Sequence, residues 1–389
     1  MKKAYSIALF AVAVCLAGAF AFGNFAKTKE APAEILIKEN RDGTYSVSED
    51  HMGKTFTIIV ADKMSEEKAK PHLKAAFATI AQIAKMIDSN DAASAVSIIN
   101  ANAGLKPVKV DDFMFDMISR AVEVAAITNG AFDITFASVG DLWNYRKIPF
   151  TVPKDEDVKS RIKLVNYKNI VLDEKGKTVF LKEKGMKIGL RGIAKGYATD
   201  MVTEQLEKAG LHNFIIYAGG DVMARGYKGD RPWRIGVQDP FSPENYFATM
   251  PINNRSVSTS GAYEMGVEVD GKFYHHIIDP KTGYPATGTL QVTLISDYAT
   301  YTDALCTGIF VLGPNVAIPI LERMTGVDAV IIDDEGNVYI TSRLKEKLNI
   351  KEQYFNKPEV KKEEKTTGEN KIEKIEKIEN KEVKPQEQK

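Results

Sequence analysis

Segments of strand and helix character follow one another in this chain without the regular strand–helix–strand spacing that a parallel sheet needs. That irregularity constrains the fold class first. Its sharpest point is Asp270-Gly271, set between an alternating Val-Glu-Val at 267–269 and a second run at 272–278. Asp-Gly suits the two left-handed positions of a type I′ turn, so the flanking runs are expected to pair as an antiparallel hairpin. A last hairpin is expected from 329–332 and 338–340 around Asp334-Glu335-Gly336, with further strands at 55–60 and 214–218, the latter ending in Gly219-Gly220. Leu73, Phe77, Ile80, Ala84 and Ile87 recur at three-and-four spacing and mark one face of a helix. A helix over 112–128 closes on Asn129-Gly130, a left-handed C-terminal cap. Another opens near Gly192 and runs to 209, with Gly210 just beyond, and a fourth covers 302–312 and stops at Gly313-Pro314. This mixture, with no internal repeat, predicts an α+β domain and not a doubly wound sheet.

The two ends differ from the middle. Met1-Lys2-Lys3 precedes an apolar run over 4–22 with small residues near Ala19-Phe20-Ala21, the pattern of a secretory signal. The run is nearly long enough to span a bilayer, so an uncleaved anchor is the alternative. Cys15 raises a lipoprotein signal as a third, against which Val14 stands where a small residue is usual. Residues 1–26 are therefore read as signal or anchor, 27–357 as the folded domain, and 358–389 as a solvated Lys/Glu tail with Lys-Ile-Glu repeated at 371–379. Export places the domain in the periplasm or envelope, associated with the inner membrane. If the leader is removed Cys306 is the last thiol, and no internal disulfide is available. Lys and Arg number 52, as do Asp and Glu, and this zero balance argues against a general nucleic-acid binder. Five histidines argue against a multi-His metal cluster.

Three stretches carry possible chemistry. In Asp303-Ala-Leu-Cys-Thr307 the Asp and Thr are four apart and share a helix face. A carboxylate, a hydroxyl and main-chain carbonyls make a hard oxygen site suited to Mg²⁺, whereas the plain alternative is a helix cap and a back-bonded hydroxyl. Arg191-Gly-Ile-Ala-Lys195-Gly-Tyr-Ala-Thr-Asp200 leads into a helix whose first amides offer an anion site, with Lys195 placed in its first turn against the dipole. The stretch is neither a Walker A nor a G-x-G-x-x-G pattern, and by itself it is an ordinary helix start more often than a phosphate site. In His275-His276-Ile-Ile278-Asp279 the two histidines point to opposite sides of a strand, so only one can face a cleft as a general base, the plain alternative being a satisfied or exposed histidine.

Taken together, the ordered motifs resemble the ApbE family of FAD:protein FMN transferases over about 50–345. They are His51-Met52-Gly53, Ala131-Phe132-Asp133-Ile134-Thr135, Gly192-Ile-Ala-Lys-Gly-Tyr-Ala-Thr-Asp200, Ala218-Gly-Gly-Asp221, Ser258-Thr-Ser-Gly261, His276-Ile-Ile-Asp-Pro-Lys-Thr-Gly283 and Asp303-Ala-Leu-Cys-Thr307. The resemblance implies a single α+β domain of mixed and antiparallel sheets that holds FAD in a central cleft, with Mg²⁺ on its diphosphate. It implies FAD contacts from Met52, Ala131, Phe132, Asp133, Lys195 and Ile278, and from the segment of Asn90. Asp303 and Thr307 would ligate the metal through side chains, and Gly192 and Cys306 through main-chain oxygens. His276 would take the proton of an acceptor Thr or Ser, and Lys195 would stabilise the developing charge.

Three positions depart from the family pattern. Asn90, aligned on Asn100, stands where many members carry a Tyr or similar ring, Gly189 where an Asp is frequent, and Cys306 where some members have a second Asp. Losing a ring weakens flavin stacking and admits water, so an FAD pyrophosphatase releasing FMN and AMP is the nearest alternative activity. A non-catalytic flavin-binding envelope protein is an alternative of another class. The family's targets carry a Ser/Thr-Gly-Ala-Thr/Ser acceptor, and Ser260-Gly-Ala-Tyr263 lacks the final hydroxyl acceptor, so the implied partner is a separate exported or membrane redox protein.

Overall fold

The computed structural model describes residues 36–351. The leader, the 358–389 tail and Cys15 lie outside the described residues, as do the first and last parts of the 27–357 domain. Nine strands form the main sheet: β1 (Lys38–Glu39), β2 (Tyr45–His51), β3 (Lys54–Val60), β4 (Phe214–Ala218), β5 (Asp221–Arg225), β6 (Arg255–Gly261), β7 (Gln291–Ser296), β8 (Asp328–Ile332) and β9 (Val338–Ile340). They lie side by side in chain order, and every neighbouring pair is antiparallel. The sheet is thus a meander whose turns have been enlarged. This is the α+β class that the irregular spacing predicts.

The enlargements carry the rest of the protein. Between β3 and β4 come helices α1 (Glu66–Met86), α2 (Asp112–Ile127) and α3 (Arg191–Lys208), and between β7 and β8 comes α4 (Ala299–Leu312). One face of the sheet is covered by helices: Leu73, Phe77 and Ile80 of α1 are fully buried, as are Phe56, Ile58 and Ile216 of the strands. Ala84 falls at the edge of the expected apolar face and is only half-buried. The other face packs Ile215, Val222, Val257, Ile295 and Val330 against Trp233, Ile235, Val237 and Phe247 of a long hairpin, Arg231–Asp239 with Ser242–Ile252. Alternation along each strand sends successive side chains to these two cores.

Helix limits follow their caps. α2 ends at Ile127 and the chain leaves it through Asn129 (φ 50°) and Gly130 (φ 78°), the left-handed exit expected there. α4 begins at Ala299, three residues earlier than its sequence suggests. Asp200 of α3 accepts from the amides of Ala299 and Thr300 at 2.8 Å each, so the cap comes from another helix. The Asp270-Gly271 hairpin forms with φ 50° and 74° at its two turn residues. Its second strand stops at His275, short of the expected 278, because the amide of His276 turns to the Met265 carbonyl and Ile278 makes only an isolated bridge to Pro285.

Candidate active site

One end of the sheet gathers most of the chemistry-bearing residues. The β2–β3 turn at Met52-Gly53 and the β4–β5 turn at Gly219-Gly220 lie there together, since Phe56 pairs with Ala218 and the Lys54 side chain crosses Gly219. The same end holds the start of β5 at Asp221 and the exit from β6 through a 3₁₀ turn, Ala262–Glu264. A surface groove lined by Glu207, His212, Arg225, Asn254 and Asp297 sits at the opposite ends of these strands and shares no residue with the site.

At its centre Lys195 Nζ lies 3.0 and 3.1 Å from the two oxygens of Asp303 and 3.1 Å from Asp221 Oδ2. The meeting depends on close approach of α3 and α4. A Cβ on Gly196 would overlap the Ala299 carbonyl, so only glycine lets the helices come this near. The Gly196 amide then donates to Asp303 Oδ2 at 3.1 Å. Both carboxylates are almost wholly buried, and the Lys195 side chain keeps 18% of its exposure. Burial alone would lower the pKa of the ammonium, but the Asp221 and Asp303 charges outweigh it and hold the group above the usual lysine range. Burial, and then the Asp303 charge, push Asp221 upward, partly offset by Lys195 and by the Ser258 hydroxyl that donates to its Oδ1.

Asp303 is not a helix cap, because Asp200 has taken that task. Lys195 is the fifth residue of α3, not in its first turn as the sequence suggests, and its charge is spent on the two carboxylates and not on the dipole. The start of α3 has no side-chain cap. Asn100 holds the approach to it by donating to the Ile188 carbonyl at 3.0 Å and accepting from the Ile188 amide at 2.8 Å.

Gly192, Phe132 and Thr307 stand together: a Cβ on Gly192 would come within 3.3 Å of Phe132 and 3.8 Å of Thr307 Oγ1. Ala131 and Phe132 are buried beside them. The Asp133 carboxylate is fully used inside the protein, accepting from the Thr135 amide and hydroxyl and from the Tyr167 amide at 2.6–2.8 Å. Only the main chain of Asp133 is left for a ligand. The Cys306 thiol points away into the sheet, 3.3 Å from the Val292 carbonyl, and burial pushes it up to about 12. The Cys306 side chain is therefore turned away from the Lys195–Asp303–Asp221 cluster.

His276 and His275 divide as alternation requires. His275 is buried, with Nε2 donating to the Ala286 carbonyl at 2.8 Å and Nδ1 accepting from the Ile277 amide, so both nitrogens are occupied. His276 Nδ1 lies 3.1 Å from the Met265 carbonyl, which can only accept. Nδ1 therefore carries the proton, and Nε2 presents a free lone pair. Burial, with Lys54 and Lys195 nearby, lowers the His276 pKa against the opposing effects of Met265 and Glu264. Lys54 and Glu264 form an ion pair at 3.2 Å across the rim.

Two expected positions stand apart. Asn90 is exposed on the turn after α1 and its amide group donates to Asp88 at 3.1 Å. The Ile278 side chain packs with Val139, Trp143 and Val158 in a satellite core. Asp221 has a place in the cluster that the sequence motif Ala218-Gly-Gly-Asp221 did not assign to it. Glycines leading a strand were its only signal.

For a divalent metal the donor set fits. Two buried carboxylates against one ammonium leave a surplus negative charge, Asp221 Oδ2 lacks a hydrogen bond of proper geometry, and the Thr307 hydroxyl stands beside Gly192. Among the described residues no three His, Cys, Asp or Glu side chains cluster to hold a metal, so hydroxyl and main-chain oxygens must complete the set.

The ApbE family model matches residues 52–331. The FAD:protein FMN transferase of Treponema pallidum (strain Nichols) is 30% identical over 327 residues, 80% of this chain and 90% of that relative. That of Klebsiella pneumoniae (strain 342) is 32% identical over 268 residues, 68% of this chain and 83% of that relative. Among solved structures, the ApbE protein of Thermotoga maritima aligns with a TM-score of 0.72 at 32% identity, covering 78% of this chain and 99% of that one. The Pseudomonas stutzeri flavinyl transferase ApbE aligns with 0.69 at 26% identity, covering 80% and 97%. With the family model matching residues 52–331 and relatives at 30–32% identity covered over more than two thirds of their length, the chain belongs to the ApbE family.

Proposed function

We propose that the protein is an FAD:protein FMN transferase that uses Mg²⁺ and moves FMN from FAD to a Thr or Ser hydroxyl of a separate protein, with release of AMP. The observation that carries this reading is His276, whose Nδ1 proton is committed to a carbonyl while Nε2 stays free at the end of the sheet that holds the Lys195–Asp303–Asp221 cluster.

Nε2 of His276 takes the proton of the acceptor hydroxyl as its oxygen attacks the FMN-side phosphorus. The new P–O bond forms, the bond to the AMP oxygen breaks, and AMP leaves with that electron pair. Lys195 faces the charge that grows on the phosphates. Asp303 and Thr307, with main-chain oxygens of Gly192 and Cys306, would hold the metal. When bound, Mg²⁺ would neutralise phosphate charge. Met52, Ala131, Phe132 and the Asp133 main chain line the flavin and adenine sides, and Ile278, whose side chain is packed in the satellite core, joins them through its main chain. The acceptor carries a Ser/Thr-Gly-Ala-Thr/Ser type motif on an exported or membrane redox protein. The protein itself is exported to the periplasm or envelope, with attachment through residues 1–26; among the described residues no helix is long and apolar enough to cross a membrane.

A second reading, FAD pyrophosphatase, draws on Asn90, which offers no ring to the flavin and turns its amide to Asp88. The two are separated by incubating residues 27–389 with FAD and Mg²⁺, with and without a protein bearing Asp-x-x-Thr-Gly-Ala-Thr. AMP matched by fluorescent acceptor is the expected result. AMP matched by free FMN, whatever the acceptor, makes hydrolysis the main activity, and no AMP leaves only a flavin binder.

A further inference from the structure

Two carboxylates meet at the Lys195 ammonium, and one of them, Asp221, has no role in the chemistry above. Asp221 Oδ1 accepts from the Ser258 hydroxyl, and its Oδ2, 3.1 Å from Lys195 Nζ, is a buried acceptor without a hydrogen bond of proper geometry. Asp303 meanwhile has both of its oxygens on the same ammonium.

A divalent cation on Asp303 and the Lys195 ammonium compete for the same oxygens. Lys195, with 18% of its side chain exposed, has little water to turn to when displaced. A buried ammonium stripped of its counter-charge is strongly disfavoured, so metal binding needs a second carboxylate waiting for it. Asp221 is that carboxylate, already at contact distance and oriented from behind by Ser258. We propose that Asp221 is a positioning residue of the site, taking the Lys195 ammonium so that Asp303 is free for the metal. The inference rests on the metal reading of Asp303 given above. It differs from a ligand role for Asp221, because here Asp221 acts on the metal only through Lys195. A direct ligand, or a long-range field, would act whether or not Lys195 is charged, and more strongly without it.

The test is Mn²⁺ binding to the full chain in the absence of FAD, followed by electron paramagnetic resonance, for wild type, Asp221→Asn, Lys195→Met and the double variant. Asp221→Asn is expected to weaken binding by about tenfold, and by less than about threefold in the Lys195→Met background. An equal or larger loss in that background overturns the proposal, as does no loss in the single variant. If Asp221→Asn does not fold, Ser258→Ala decides: it keeps both carboxylates but frees Asp221 from its orienting partner. Weakened Mn²⁺ binding then supports the proposal and unchanged binding overturns it. A wild-type protein that binds no Mn²⁺ overturns the metal reading, and this inference with it. Binding by wild type that Asp221→Asn leaves intact removes only the role of Asp221.

Discussion

The amide of Gly196 donates to Asp303 Oδ2 at 3.1 Å, although the two residues stand on different helices and 107 positions apart. This bond and the Lys195 pair exist only because α3 and α4 touch at a glycine. A methyl group on Gly196 would overlap the Ala299 carbonyl and crowd Asp303 Cβ. Neither contact is the far end of a flexible side chain, so the helices must part. Gly196→Ala is expected to lower unfolding free energy by about 1–3 kcal/mol, despite alanine's better helix propensity. Urea unfolding checks this, and AMP release should fall with it because the Lys195–Asp303 pair opens.

His276→Ala is expected to cut acceptor flavinylation by about 10²–10⁴-fold, the range for a lost general base. In the wild type the base must be neutral. Burial holds its pKa below the ordinary 6.5, so the acid limb of kcat/KM should fall below pH 6.5, with activity kept as pH drops through that value. An acid limb at or above 6.5, or one that survives in His276→Ala, would assign the base to another group.

Asp303→Asn keeps the shape of the side chain and removes its charge. Lys195 then retains Asp221, so the buried ammonium is not left unpaired and stability should drop by only about 1–2 kcal/mol. Metal-dependent AMP release should be lost. Near-normal turnover in this variant would remove the metal site from α4.

Local signals in the sequence reached local structure. Asp270-Gly271 marks a turn with two left-handed residues, and Asn129-Gly130 marks a helix exit, because both depend on nearest neighbours alone. The long hairpin at 231–252 gave no such signal. Pro232, Pro243 and Pro251 interrupt its strands, and proline ordinarily argues against a strand. The start of α4 was misplaced because its cap is Asp200, which only packing brings near. The site shows the same division. His276 and Asp303 stand out as residue types in motifs, whereas the choice of Lys195 as their neighbour and the presence of Asp221 follow from the touch of two helices and a strand. The Asp133 motif carries no sign that its carboxylate binds Thr135 and Tyr167, the latter 34 positions away.

Met52 holds φ at 54° and Gly53 at 77°, so the β2–β3 hairpin turns through two left-handed residues with a methionine in the first. Methionine is strained there by about 1 kcal/mol, while asparagine enters this region readily. Strain of this kind persists where the side chain has another use, and contact with FAD is the use proposed for Met52. Met52→Asn is therefore expected to raise unfolding free energy by about 0.5–1 kcal/mol and at the same time to weaken FAD binding severalfold. Urea unfolding and a fluorescence titration with FAD read the two effects separately. A variant that gains stability and keeps its FAD affinity would show that the side chain serves only the turn.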